Sequence, residues 1–254
     1  MCLVRDITYP PIVATCRALF KVLGVRFRIT GTHHIPRTGG AVLAVNHVSY
    51  VDFIFAGLAA QDSGRLVRFM AKKEVFDHRI GGPVMRSLHH IPVDRDNGIA
   101  SYRMALRYLK DGELVGVFPE ATISRSMELK EFKSGTVRMA SSAGVPLIPI
   151  VVWGAQRLMT KDHPPDWRRG QTISVSVGTP LHPTARNPVE GIAELQTSMS
   201  ALLDSTIRAH PESPEGQWWA PVSYGGTAPT PEQAQRLDAE ERTARAARRA
   251  ARST

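Results

Sequence analysis

Seven residues, Asn46-His47-Val48-Ser49-Tyr50-Val51-Asp52, follow directly on the apolar run Ala41–Val45. If Ser49 caps a helix, His47 lies in the turn and Asp52 at the third helical position. The turn can then fold back so that the Asp52 carboxylate meets one imidazole nitrogen. That contact would set the tautomer, stabilise an imidazolium and leave the other nitrogen as a general base. The same spacing has a plainer reading, because Ser49-x-x-Asp52 is also a capping box that spends its carboxylate on backbone amides. Spacing alone leaves both open.

Three more strand ends carry polar groups. Phe118-Pro119-Glu120-Ala121-Thr122 follows Leu114–Val117, with a proline to end the ladder and a carboxylate that neighbouring amides can hold. Ile91-Pro92-Val93-Asp94-Arg95 ends in a cation, and Lys72 and Lys73 close Leu66–Ala71. Lys133-Ser134-Gly135 opens a helix whose first amides, with the lysine, suit a phosphate. Each cation has solvated surface as its plain alternative. Val145-Pro146-Leu147-Ile148-Pro149-Ile150 reads as an edge or irregular strand.

These groups need a frame. Val25–Thr30, Ala41–Val45, Leu66–Ala71, His90–Val93, Leu114–Pro119, Pro146–Trp153 and Thr172–Val177 read as strands. Val51–Ala60, Gly81–Leu88, Asn97–Lys110, Ser134–Ala143 and Asn187–Ala209 read as helices between them. The alternation predicts a single α/β domain with a mostly parallel central sheet flanked by helices, whose ligands gather where strands end. Ahead of it, Pro11–Leu23 spaces Ile12, Cys16, Leu19 and Leu23 helically, with Arg17 and Lys21 on another face. It reads either as a helix packed on the domain or as one lying in a membrane interface. The boundaries drawn are 1–24 for this helix, 25–210 for the α/β domain and 211–254 for a loosely ordered extension and tail. Within the last, Glu232–Arg252 is an Ala/Arg/Glu helix expected to form only against a partner. Trp218 and Trp219 either pack the extension onto the domain or touch lipid.

Composition narrows the class. The chain has 254 residues, 43% of them hydrophobic, and a formal charge of +9. That excludes general disorder. Between Gly225 and Thr254 six Arg face four acids, so most of the excess lies on the body. A basic body suits nucleic acid, anionic lipid or a phosphorylated substrate. Only two cysteines, no HExxH and no clustered carboxylates predict no metal site; His33-His34 and His89-His90 are adjacent pairs that a strand would point to opposite faces. There is no Walker-type loop, no Gly-x-Gly-x-x-Gly and no Gly-x-Ser-x-Gly elbow. Met1–Tyr9 shows no secretory signal, and Met139–Gln156 is too rich in Ser, Gly and Pro for a membrane span. Arg far outnumbers Lys, a composition expected of a GC-rich bacterial genome.

Taken in order, Asn46-His47-x-Ser49-x-x-Asp52, Gly82…Ile91-Pro92-Val93-Asp94-Arg95, Phe118-Pro119-Glu120-Ala121-Thr122 and Val145-Pro146-Leu147-Ile148-Pro149 resemble the four motifs of the glycerolipid acyltransferase family. The resemblance spans roughly Val25–Ile207. It implies a glycerol-3-phosphate acyltransferase-like fold and transfer of a fatty acyl group from acyl-CoA or acyl carrier protein to the free hydroxyl of 1-acyl-glycerol-3-phosphate. His47 would be the base and Asp52 its orienter, with no covalent acyl-enzyme, so Ser49 and Ser124 are not nucleophiles. Arg95 and Lys72 would hold the acceptor phosphate, and Glu120, Thr122, Arg125 and Lys133 would bind substrate or build the site. No cofactor is implied beyond the acyl donor. The implied partners are a membrane lipid acceptor, the acyl donor and an anionic membrane surface, with no specific nucleic acid. The implied location is peripheral, on the cytoplasmic face of the plasma membrane. Two positions depart from the family pattern Phe-Pro-Glu-Gly-Thr-Arg-Ser: Ala121 replaces its glycine and Ile123 its arginine. Arg125 is the nearest substitute for the lost cation. Without it the acceptor becomes another lysophospholipid or a glycolipid. A non-catalytic lipid-binding module is the rival of another class.

Overall fold

The computed structural model describes residues 6–94, 98–184 and 187–251. Seven strands, β1 (Arg26–Thr30), β2 (Ala41–Val45), β3 (Val67–Lys72), β4 (Ile91–Val93), β5 (Leu114–Val117), β6 (Leu147–Trp153) and β7 (Thr172–Val177), form one sheet. Their order is β1-β7-β6-β2-β5-β3-β4, parallel throughout except between β6 and β7. The α/β reading of the sequence therefore holds. Strand sides alternate. Ala41, Leu43 and Val45 face one layer with Phe55 of α2 (Asp52–Ala60) and Phe20 of α1 (Tyr9–Val22). Val42 and Ala44 face the other layer, with α5 (Gly98–Lys110), α6 (Gly135–Ala143) and α7 (Pro188–Ala209). Two short helices, α3 (Lys73–Phe76) and α4 (Gly81–Ser87), connect β3 to β4. Burial on both faces explains why β2 and β6 are continuous apolar runs.

Pro149 corrects one expectation. β6 is an inner strand between β7 and β2, not an edge. The proline is tolerated because the β7 ladder begins only at Ile150; at Pro149 the Gly178 N–H donates to its carbonyl at 2.8 Å.

α1 packs on the domain through a stripe that shares Cys16 with the one expected and adds Tyr9, Val13 and Phe20, while Leu19 turns out. Tyr9 and Phe20 are buried, with Val13 and Cys16 partly so, whereas Leu19 is 49% exposed. The Tyr9 hydroxyl donates to the Val67 carbonyl at 3.0 Å, and Phe20 meets Phe55 with ring centroids 5.1 Å apart. Asp6 pairs in bidentate fashion with the buried Arg68, at 2.7 and 2.8 Å. These long-range partners choose the face; helical spacing within α1 cannot. Arg17, Lys21 and Val22 remain outward.

The segment after α7 is not loose. Trp219, Ala220 and Ala228 are buried with Trp153, Leu203 and Ile207 in a third apolar cluster, and the Arg157 guanidinium lies 4.9 Å over the Trp219 ring. α8 (Pro231–Ala250) lies on the body along the stripe Ala234, Asp238 and Glu241. The histidine pairs differ too. His33 and His34 sit in a 3-10 turn with ring centroids 4.1 Å apart, and buried His90 accepts the Phe69 N–H at Nδ1.

Candidate active site

β2, β5, β3, β4 and β6 run parallel, so residues 46, 72, 94, 118 and 154 all leave the sheet at one edge. β2 delivers the first motif. Asn46 locks it there: its amide nitrogen donates to the Val152 carbonyl at 3.1 Å and its amide oxygen accepts the Val152 N–H at 2.7 Å. This role of Asn46 was not foreseen, although an asparagine at a strand end is a signal for it.

Asp52, fully buried, is the first residue of α2, so Ser49 is not its cap. The Asp52 Oδ2 accepts the Val48 and Ser49 amides at 2.8 and 2.7 Å and faces His47 Nδ1 at 3.1 Å. One oxygen thus makes both the imidazole contact and the backbone-amide contacts the spacing offers, without Ser49 as a cap. The amides hold the carboxylate, and the carboxylate holds the ring. A carboxylate only accepts, so Nδ1 carries the hydrogen and Nε2 is left as the basic nitrogen. Burial pushes the Asp52 carboxyl above its ordinary range, against the pull of His47 and the two amides. The imidazole is 19% exposed and stacks on Phe118 at 4.1 Å, and Phe118 is backed by Phe69 at 6.2 Å. Ser49 Oγ donates to the Met159 carbonyl at 2.6 Å and accepts the Val51 N–H, which suits a structural hydroxyl.

The third motif grips the main chain of His47 from both sides. Buried Glu120 accepts the His47 N–H at 2.9 Å with Oε1 and the Lys130 N–H at 3.1 Å with Oε2. Ser124 N–H donates to the His47 carbonyl at 2.7 Å. Burial pushes the Glu120 carboxyl up to about 8 despite those donors. Glu120 is therefore a fixture of the site's architecture. The turn it sits on needs Ala121 at φ +60, a left-handed backbone that costs an L-residue about 1–2 kcal/mol and glycine nothing. Ala121→Gly is expected to raise stability by about 0.5–1 kcal/mol in a denaturant titration. A lowered midpoint would mean that the alanine methyl makes a contact worth more than the strain.

The remaining expected site residues are not all gathered. Lys72 is at the same edge and paired with Glu74 at 2.5 Å; its neighbour Lys73 pairs with Asp94 at 3.1 Å. Thr122 Oγ1 accepts from Lys130 Nζ at 2.8 Å. Lys133 is exposed, and its amide donates to the Pro119 carbonyl at 2.9 Å. Arg95 lies outside the described residues. Arg125 does not stand in as an open phosphate contact, because its guanidinium pairs with Asp162, Asp238 and Glu241. Ile123 is buried. Lys130 and Lys161 were not singled out in the sequence; the signal available was Lys130, three residues before Lys133 and eight after Thr122. A cleft of about 670 Å³ lies elsewhere, lined by residues including Arg26, Arg169 and Trp218. It includes neither His47 nor Asp52, so the chemistry is assigned by side-chain geometry and not by the cleft.

Residues 26–153 match the family model described as Acyltransferase. The 1-acyl-sn-glycerol-3-phosphate acyltransferase of Bacillus subtilis is 31% identical over 168 residues, 65% of this chain and 79% of that one. The protein of the same name from Limnanthes douglasii is 31% identical over 153 residues, 59% of this chain and half of its own length. The crystal structure of 1-acyl-sn-glycerophosphate acyltransferase from Thermotoga maritima superposes with a TM-score of 0.65 at 22% identity, covering 80% of each chain. With half of its length matched by that model, the chain belongs to the acyltransferase family.

Proposed function

We propose that this enzyme transfers a fatty acyl group from the thioester of acyl-CoA or acyl carrier protein to the free hydroxyl of 1-acyl-glycerol-3-phosphate. The observation that carries the chemistry is the His47 Nδ1–Asp52 Oδ2 contact, with the His47 main chain held by Glu120 and Ser124. His47 Nε2 takes the hydroxyl proton as the acceptor oxygen bonds to the thioester carbonyl carbon. The tetrahedral intermediate then breaks its C–S bond, and the departing thiolate takes the proton from the imidazolium. Asp52 keeps the ring in the required tautomer and offsets its transient charge. The relatives' names support the acceptor.

A second reading keeps the chemistry and changes the acceptor to another lysophospholipid or a glycolipid. It is favoured by buried Ile123 and by Arg125 being taken up in ion pairs. Thiol release from a long-chain acyl-CoA, with lysophosphatidate, other lysophospholipids and a glycolipid as acceptors, separates the two. Turnover with lysophosphatidate supports the first reading; turnover only with another acceptor supports the second. A chain that turns over none of them with either donor type is the non-catalytic lipid binder.

The enzyme would reach its acceptor as a peripheral protein on the cytoplasmic face of the plasma membrane. Among the described residues no helix is long and apolar enough to cross a membrane. α1 turns Arg17, Lys21 and Val22 outward, and each cation near an anionic leaflet contributes about 1 kcal/mol. Reversing both charges, Arg17→Glu/Lys21→Glu, is therefore expected to weaken co-sedimentation with anionic vesicles by about tenfold or more. Equal co-sedimentation would remove α1 from the contact.

A further inference from the structure

Three cations stand beside the catalytic loop: Arg125 and Lys130 from the connection after β5, and Lys161 from the segment after β6. Each stands within one residue of a group that holds the loop. Arg125 follows Ser124, whose amide binds the His47 carbonyl. Lys130 gives its own amide to Glu120, and its ammonium to Thr122 at 2.8 Å. Lys161 follows Thr160, whose hydroxyl donates to the Val48 carbonyl at 2.6 Å. The cations are thus fixed to the frame of the site.

What neutralises them comes from the far end of the chain. Asp238 pairs with Arg125, Lys130 and Lys161, and Glu241 pairs with Arg125 at 3.0 Å and Lys161 at 2.9 Å. The remaining carboxylate, Asp162, pairs with Arg125 and is 56% exposed. Along α8 only Ala234 and Asp238 are buried among the described side chains, with Glu241 half-buried beside them and Leu237 and the arginines outward. The helix therefore rests on the body through charges, with one alanine as its buried apolar contact. A helix docked by apolar side chains would not respond to an anion; this one can be displaced by one. Lys161 and Arg125 hold the Glu241 carboxyl down to about 2, so the pairs persist through neutral pH and loosen only as pH falls from the ordinary carboxylate range toward that value.

We propose that Arg125, Lys130 and Lys161 form an anion site for a phosphate group, which Asp238 and Glu241 of α8 fill in its absence. Phosphate binding and α8 docking then exclude one another. With α8 lifted, three cations and the Thr122 hydroxyl face one exposed carboxylate, a donor set suited to phosphate oxygens. That the phosphate is the acyl acceptor's rests on the reading above. The competition with α8 rests on the charges alone. The shared ligand chemistry is a phosphate, delivered by a lipid headgroup or free in solution.

Amide hydrogen exchange across residues 231–248 of the full chain tests this. It is followed in buffer, in chloride, in inorganic phosphate at matched ionic strength, and with phosphatidylcholine vesicles with and without phosphatidate. The expected result is about tenfold faster exchange in α8 with a phosphate source than with matched chloride or phosphatidylcholine alone, a shift of about 1.4 kcal/mol. Release by inorganic phosphate identifies the free ion as sufficient; release only by phosphatidate vesicles identifies the headgroup. Both support the site. Asp238→Asn/Glu241→Gln should exchange fast in every condition and bind inorganic phosphate about tenfold more tightly by calorimetry. Unchanged α8 exchange with every phosphate source overturns the proposal. So does equal release by chloride or by phosphatidylcholine alone, or a variant that binds phosphate no better than wild type. None of these readouts uses acyl transfer, so α8 release without turnover would leave the site standing and remove the functional reading.

Discussion

His47→Ala is expected to lower thiol release from acyl-CoA by about 10²–10⁴-fold at saturating acceptor, the range a positioned general base supplies. Asp52→Asn should cost a similar factor, because an amide oxygen can still accept the Val48 and Ser49 N–H groups while the charge that offsets an imidazolium is gone. The pair should be non-additive: the double variant loses little beyond either single one, since both act through one proton transfer. Fold is checked separately. The imidazole lies at the rim, stacked on Phe118, so His47→Ala removes no buried polar partner except Asp52. Unchanged turnover in a folded His47→Ala variant would place the base elsewhere and end this mechanism.

Glu120→Ala is expected to be worse for the protein than either of these. It strands the His47 and Lys130 amides in a buried site, at about 1–3 kcal/mol for each unsatisfied group. It also frees the His47 main chain, and displacement of the base by about 1 Å can cost about 10²-fold in rate. Stability and turnover should therefore fall together. Glu120→Gln removes the titration and keeps an acceptor for only one of the two amides, because its NH2 group only donates. With its folded-state value at about 8 against 4.5, the native protein binds a proton that the unfolded chain has lost. Its contribution is fully present below 4.5 and is lost as pH rises toward 8. Wild-type stability relative to the Gln variant should decline across that window in urea titrations. A flat difference would mean that Glu120 stays ionised and is held by its two amides alone.

Much of this was legible in the sequence because local pattern and tertiary demand agree. Strands that are buried on both faces read as apolar runs, and the polar residues that matter come directly after them. Ala41–Val45 followed by Asn46 and His47 is the clearest case. Where the reading failed, the deciding partner lay far along the chain. α1 offers more than one plausible stripe, and Val67, Arg68 and Phe55 select the one bearing Tyr9 and Phe20. The segment before α8 reads as loop by its Pro, Gly and Ser, yet Trp219 inserts beside Trp153 and orders it. Arg125 sits close to where a motif cation was sought; nothing near it in sequence reveals that Asp238 and Glu241 occupy it. Ile123 marks the missing arginine plainly, and the sequence offers only Arg125 in its place, because Lys130 and Lys161 converge on Arg125's partners only after folding.

The grip on His47 has a consequence for how this enzyme must be assembled. The residues that hold this loop lie 73 positions away at Glu120, on the His47 amide, 106 at Val152, on the Asn46 side chain, and 112 at Thr160, on the Val48 carbonyl. Closing loops of that length precedes any reward from them, which is the signature of a slow, late-forming contact set. A nascent chain that has emerged through Thr122 already contains the histidine, the aspartate and the glutamate, yet no clamp from β6 or Thr160. The loop that presents His47 is thereby completed only once the central sheet has closed.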